Sequence, residues 1–193
     1  MAQTSGADLT RRMQRFAEAK ARELAALGLD GYVLKRASPS CGLLDVPVHG
    51  EDGRLPAPGR GVYAAVLARR LPTLPMEEEG RLLDTAIRES FIERIFTAAR
   101  WRAFVAGAPR PRDLAAFHAA HKPVVRAHGS SHEASLDRLV AGAGRTVTRR
   151  LLAEYGRLLM EAVTVPAPGA DVRQHLEVGT IIDDYRTMAR LLR

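Results

Sequence analysis

Two prolines flank a single residue in Gly107-Ala108-Pro109-Arg110-Pro111. Neither a helix interior nor a central strand passes through such a run, because proline lacks an amide donor and restricts the residue before it. The chain is therefore expected to divide there, into domains over residues 1–108 and 112–193. Before the break, helical and strand-like spacings alternate; after it, the apolar patterns are helical. The fold class that follows is α/β, an open sheet with flanking helices, and then an all-α helical domain.

In the first half, Leu9, Met13, Phe16, Leu24 and Leu27 recur at helical spacing and stop at Gly28, a natural C-terminal cap. The turn Leu29-Asp30-Gly31 leads into a strand, Tyr32-Val33-Leu34-Lys35. Val46 to Pro58 is rich in Pro, Gly and Asp and reads as a loop with room for a small hairpin. Gly59-Arg60-Gly61 opens a helix that carries Val62, Val66 and Leu67 and ends before Pro72. The run Glu77-Glu78-Glu79 is expected to make a favourable contact with a helix dipole or to form a solvated turn. Asp84 can cap a long helix that buries Ile87, Phe91, Ile95, Phe96 and Trp101, with Glu93 and Arg94 as an ion pair holding it against the sheet. In the second half, helices are expected over Asp113–His128, Ser131–Ala141, Thr146–Val163 and Thr180–Leu192, with Val165-Pro166-Ala167-Pro168-Gly169 as a further breaker.

Composition bounds the function classes. A hydrophobic content of 46% over 193 residues can build a real core. The first twenty residues carry Asp8, Arg11, Arg12, Arg15 and Glu18 in place of an apolar leader, and no stretch has the roughly 18 apolar residues that span a bilayer. The expected location is the cytoplasm, with no membrane partner. The single cysteine excludes an intramolecular disulfide. The formal charge of +7 invites a nucleic-acid reading, but the basic residues are nearly all Arg and are spread along the length. No basic motif interleaved with aromatics is present, so nucleic acid is not the expected partner.

That one cysteine, Cys41, lies in Ser38-Pro39-Ser40-Cys41-Gly42, directly after the first strand, where α/β proteins present reactive side chains. Pro39 fixes a backbone torsion, and Ser38 and Ser40 bring hydroxyls near the sulfur. By itself such a thiol reads as a partly buried structural group, and such serines as a loop satisfying its own backbone.

Five segments together carry a resemblance: Tyr32-Val33-Leu34-Lys35, Ser38-Pro39-Ser40-Cys41-Gly42, Gly59-Arg60-Gly61, Leu74-Pro75-Met76-Glu77-Glu78-Glu79-Gly80-Arg81-Leu82 and Phe91-Ile92-Glu93-Arg94-Ile95-Phe96. They closely resemble the thiouracil-desulfurase-like (TudS-like) domain. Phe117-His118, His121-Lys122, Ala127-His128, Leu139-Val140 and Tyr155-Gly156 resemble the F-H-x-x-H-K pattern and later positions of the YbgA-like domains to which that domain is often fused.

The resemblance implies a [4Fe-4S] cluster held by three cysteines, with one iron open to take sulfur from a thiolated nucleobase or related thio-heterocycle. Cys41 matches the last of those cysteines and Ser38 the serine implicated in proton handling. The family's other two cysteines and its catalytic glutamate belong to a segment N-terminal to the region matched here. The chain thus reads as starting part-way through the family domain, with an incomplete sheet, and one cysteine cannot hold the cluster alone. Unpaired strand edges would then favour poor solubility or a homodimer.

The histidines allow a second chemistry. His118, His121 and His128 share one helix side with Leu114 and Val125, and His118 with His121 has the i, i+3 spacing of a metal-ligand pair. Histidines on a half-apolar face are more often hydrogen-bonded core groups, and Pro123 sits among them. Two functions remain open at this stage. One is an iron–sulfur desulfurase acting on a small thio-heterocycle; the other is a non-catalytic remnant or partner-binding protein whose helical half recognises a protein or nucleic acid.

Overall fold

The computed structural model describes residues 8–48, 57–129 and 131–164. They fall into two compact units, up to Ala99 and from Arg100. The division lies inside a long helix, earlier than the Gly107–Pro111 breaker.

The first unit begins with α1 (Thr10–Leu27), which closes on Gly28 in the left-handed conformation, φ 62°. Its buried residues are Ala17, Ala21 and Leu24, while Leu9, Phe16 and Leu27 are exposed. The helix is therefore rotated from the face that its large apolar residues suggest. Small side chains let it lie close against α2 (Val62–Arg70), whose Tyr63, Ala64, Val66 and Leu67 complete the core with Leu34.

Between these helices, β1 (Tyr32–Leu34) runs parallel to β4 (Met76–Glu78), with Val33 opposite Glu77 and Leu34 opposite Glu78. The connection between them carries α2, since parallel neighbours need a crossover. It also carries an antiparallel hairpin, β2 (Val46–Val48) with β3 (Ala57–Gly59), as the sequence allowed. β4 corrects the reading of Glu77-Glu78-Glu79 as a solvated or dipole-facing turn for its first two residues, while Glu79 does lie in an exposed turn. Glu77 and Glu78 are strand residues and are buried, at 5% and 1% exposure.

After a 3-10 turn (Arg81–Leu83), α3 runs from Thr85 to Ala106. Asp84 caps it as expected, its Oδ1 accepting from the amides of Ala86 (2.9 Å) and Ile87 (3.2 Å). The ion pair that holds this helix against the sheet joins Arg94 to Glu77 of β4, where the sequence named Glu93 as the partner. One nitrogen donates to Glu77 Oε2 at 3.0 Å and another to the Met76 carbonyl at 3.3 Å. Both members of that pair are buried, and Arg81 also donates to Glu77, at 2.8 Å. Burial pulls the Arg94 pKa below its ordinary value, and the Glu77 carboxylate offsets part of that.

The second unit is helical: α4 (Pro111–Ala127), α5 (Glu133–Ala141) and α6 (Arg149–Ala162) follow the expected segments within a few residues. Pro111 occupies the first turn of α4, where its missing amide costs nothing, so the second proline of the breaker starts a helix. The core gathers Trp101, Leu114, Val125, Leu136, Tyr155 and Leu159. Trp101 stacks on Tyr155 with ring centroids 5.0 Å apart, and it lies so close that a Cβ on Gly156 would sit 2.2 Å from its Nε1. The expected helix Thr180–Leu192 and the breaker at 165–169 lie outside the described residues.

Removing one partner of a buried ion pair leaves the other charge uncompensated. Arg94→Met is expected to lower stability by about 3 kcal/mol, read from urea unfolding, and a change under about 1 kcal/mol would place the pair among ordinary surface bridges.

Candidate functional site

Cys41 is partly buried, in a turn that leaves the end of β1 and docks on the first turn of α2. Inside the turn, the Gly42 amide donates to the Ser38 carbonyl at 2.8 Å. Ser38 Oγ accepts from the amides of Cys41 (3.2 Å) and Ser40 (3.4 Å), the local backbone bonding that serines in turns provide. Ser38 Oγ also lies 3.1 Å from Ser40 Oγ, which lies 3.4 Å from Cys41 Sγ. The three side chains named from the sequence thus form one hydrogen-bonded row. Ala37, just before it, has φ 55°, a left-handed torsion that costs a residue with a Cβ about 1 kcal/mol or more.

The helix start provides the second restraint. The amides of Tyr63 (2.8 Å) and Ala64 (3.2 Å) donate to the Ser40 carbonyl, Val62 donates to Pro39 O at 3.4 Å, and Gly61 to Gly42 O at 2.8 Å. Backbone carbonyls of the cysteine turn therefore occupy the free donors of α2, the role that a side-chain cap usually plays. Gly61 is what permits this approach, since a Cβ there would lie 2.4 Å from the Ser40 carbonyl oxygen. Tyr63 Oη meets Tyr32 Oη at 3.1 Å, and burial first, then that hydrogen bond, push the Tyr63 phenol well above its ordinary pKa.

The third restraint comes from the end of β4 and the turn after it, and nothing in the sequence anticipated it. Glu78 Oε1 accepts from the amides of Leu43 (2.8 Å) and Leu44 (3.3 Å), just after the cysteine. Glu79 Oε2 accepts from the Arg36 amide at 2.7 Å, just before it. The signal available was the adjacency of three carboxylates to a strand-length apolar segment, but polarity hid the strand.

The histidine pair takes a different course. His118 places Nδ1 3.1 Å from Tyr155 Oη and Nε2 2.7 Å from Asp137 Oδ1, so both ring nitrogens already have protein partners. Lys122 Nζ donates to both Asp137 oxygens, at 2.8 and 2.9 Å. Lys122 foremost, then His118, hold the Asp137 carboxyl below the usual carboxylate range. His121 donates from Nδ1 to the Phe117 carbonyl at 2.8 Å and buries Nε2 without a hydrogen-bond partner. His128 is buried as well, with Leu114 and Val125 of the same helix. Among the described residues, no group of three or more His, Cys, Asp or Glu side chains is placed to hold a metal ion.

Arginines dispersed in the sequence gather in space on the first unit. Arg11, Arg15, Arg22, Arg60 and Arg69 line an open groove of about 940 Å³ along α1 and α2. Glu18 in the same groove pairs with Arg69 and, at 2.6 Å, with Arg70. Among the described residues no helix is long and apolar enough to cross a membrane.

The family model of 2-thiouracil desulfurase matches residues 1–79, a span that includes α1, the cysteine turn, α2 and β4. Over that span the chain is similar to the family, which is consistent with the TudS-like resemblance of its motifs. No curated protein and no solved structure matches the chain. A [4Fe-4S] cluster needs several thiolates, and the chain holds one cysteine. Its own residues therefore do not fit such a cluster without further ligands.

Two outcomes are expected. Gly61→Ala forces the Ser40 carbonyl away from α2, lowering stability by about 1–3 kcal/mol in urea unfolding; an unchanged midpoint would contradict the docking. Burial, partly offset by the bond to Phe117, holds the His121 imidazole below its ordinary 6.5. The unfolded chain takes up a proton there that the folded unit refuses, so stability falls as pH drops below 6.5. His121→Phe should flatten that slope in pH-dependent melts, and equal slopes would contradict it.

Proposed function

We propose that the first unit contributes one corner of a desulfurase site that removes sulfur from a thiolated nucleobase or a related thio-heterocycle. The observation carrying this reading is that the family match spans the Ser38–Cys41 turn and the elements that hold it. In the reaction, the C=S bond is replaced by C=O with oxygen from water, and the sulfur departs as sulfide with the two water protons. No oxidant or reductant is needed.

Within this chain, Cys41 is the residue that would hold an iron–sulfur cluster, whose other ligands would come from outside this sequence, such as a second copy, another chain or small thiols. Ser38 and Ser40 hold the row of hydroxyls that ends at the sulfur, a geometry suited to passing a proton along the turn. We place the helical unit with the YbgA-like domains. In support, Phe117, His118, His121, Lys122, Tyr155 and Gly156 meet around Trp101 and Asp137, so the residues of that pattern form one neighbourhood.

Anaerobic purification and reconstitution, with iron and acid-labile sulfide measured beside Cys41→Ala, tests the reading. Cys41-dependent iron and sulfide, with conversion of 2-thiouracil to uracil, is the expected result. Absence of iron in both proteins, with no uracil formed, would overturn it.

A further inference from the structure

We propose that Glu78 and Glu79 are positioning residues for the Cys41 thiol: two successive carboxylates, the last residue of β4 and the first of the turn after it, clamp the two ends of its loop. Glu78 ends the strand with its side chain buried and Glu79 begins an exposed turn, so the neighbouring glutamates reach separate targets. Here the two targets are the two ends of one loop. Glu79 Oε2 takes the Arg36 amide at 2.7 Å where the chain leaves β1, and Glu78 Oε1 takes the Leu43 and Leu44 amides where the cysteine turn ends. The strand itself continues the tie, because the Glu79 amide donates to the Leu34 carbonyl at 3.1 Å. Arg60 closes the far side, its Nε donating to the Leu43 carbonyl at 3.2 Å.

The three carboxylates of the run divide their work. Glu77 is neutralised by Arg94 and Arg81 and fastens α3 to the sheet. Glu78, at 1% exposure, directs an oxygen to two backbone amides of the cysteine loop. Burying a carboxylate is costly unless its oxygens are hydrogen-bonded, and bonds from an amide to a charged acceptor are among the stronger ones. A leucine at position 78 would satisfy an apolar interior but would leave the Leu43 and Leu44 amides without this acceptor. The carboxylate therefore sets where the loop, and with it the sulfur, must lie. This role rests on the reading of Cys41 as the working thiol of the site.

Cys41 is the chain's single cysteine, so alkylation by iodoacetamide reports its position without interference. The apo protein is used, with variants Glu78→Ala, Glu78→Gln and Glu79→Ala, and Glu23→Ala as an exposed control. Glu78→Ala should alkylate about fivefold faster or more, as expected from losing the restraint of one or two hydrogen bonds, while Glu78→Gln, which keeps an acceptor oxygen, stays within about twofold of the parent. A merely structural role would accelerate the reaction only through global unfolding, so the rate in Glu78→Ala should also stay flat in low urea. A parent-like rate, or one that rises in step with the unfolded fraction, would overturn the proposal. If Glu78→Ala does not fold, Glu79→Ala carries the same test with the same criteria, because its side chain is exposed. Alkylation needs neither iron nor substrate. A protein without desulfurase activity but with the clamp would refute only the proposed reaction, and an active protein indifferent to Glu78 would refute only the clamp.

Discussion

Hydrogen bonds to the carboxylates of Glu77, Glu78 and Glu79, in β4 and the turn that follows it, are the interaction on which the first unit depends. A two-stranded parallel sheet offers little by itself, since parallel strands are normally buried on both faces among several neighbours. Here β4 compensates with side chains. Glu77 fixes α3 through Arg94, Glu78 receives the chain after Cys41, and Glu79 receives it at Arg36, before the cysteine. A three-residue strand and the residue after it thereby connect a helix, a sheet partner and both ends of the cysteine loop.

The docking of the cysteine turn on α2 adds to this frame. Helices usually borrow a side-chain oxygen to cap their first amides, and α2 instead takes the carbonyls of Pro39, Ser40 and Gly42. The same bonds that complete the helix fix the turn, so a change at Gly61, remote in sequence, reaches the sulfur directly. The helical unit uses a comparable economy: Tyr155, His118, Asp137 and Lys122 join α6, α4 and α5 in one hydrogen-bonded chain.

Much of this was legible in the sequence, and the parts that were not have physical causes. The ends of α1, its glycine cap, the Asp84 cap and the helical second half follow from periodicity and capping chemistry. The buried face of α1 was misplaced because large apolar residues dominate a periodicity argument, whereas close packing on α2 selects Ala17 and Ala21. β4 was missed because burial of Glu77 and Glu78 depends on partners distant in sequence: Arg94 for one, the Leu43 and Leu44 amides for the other. Periodicity sees only polarity there. The Ser38, Ser40 and Cys41 cluster was visible as a motif, but the clamp around it exists only in three dimensions. For His118, the spacing to His121 was legible and its engagement by Tyr155 and Asp137 was not.

The bonds to α2, Glu78 and Glu79 make the cysteine loop a part of the folded core. Residue-by-residue amide hydrogen exchange of the unmodified protein tests that most directly, because it reads loop and helix in the same experiment. The account predicts that the amides of Arg36, Cys41, Gly42 and Leu43 are protected and open together with Tyr63 at the start of α2. Exchange of Arg36 and Leu43 at the rate of an unstructured chain, with Tyr63 still protected, would contradict it.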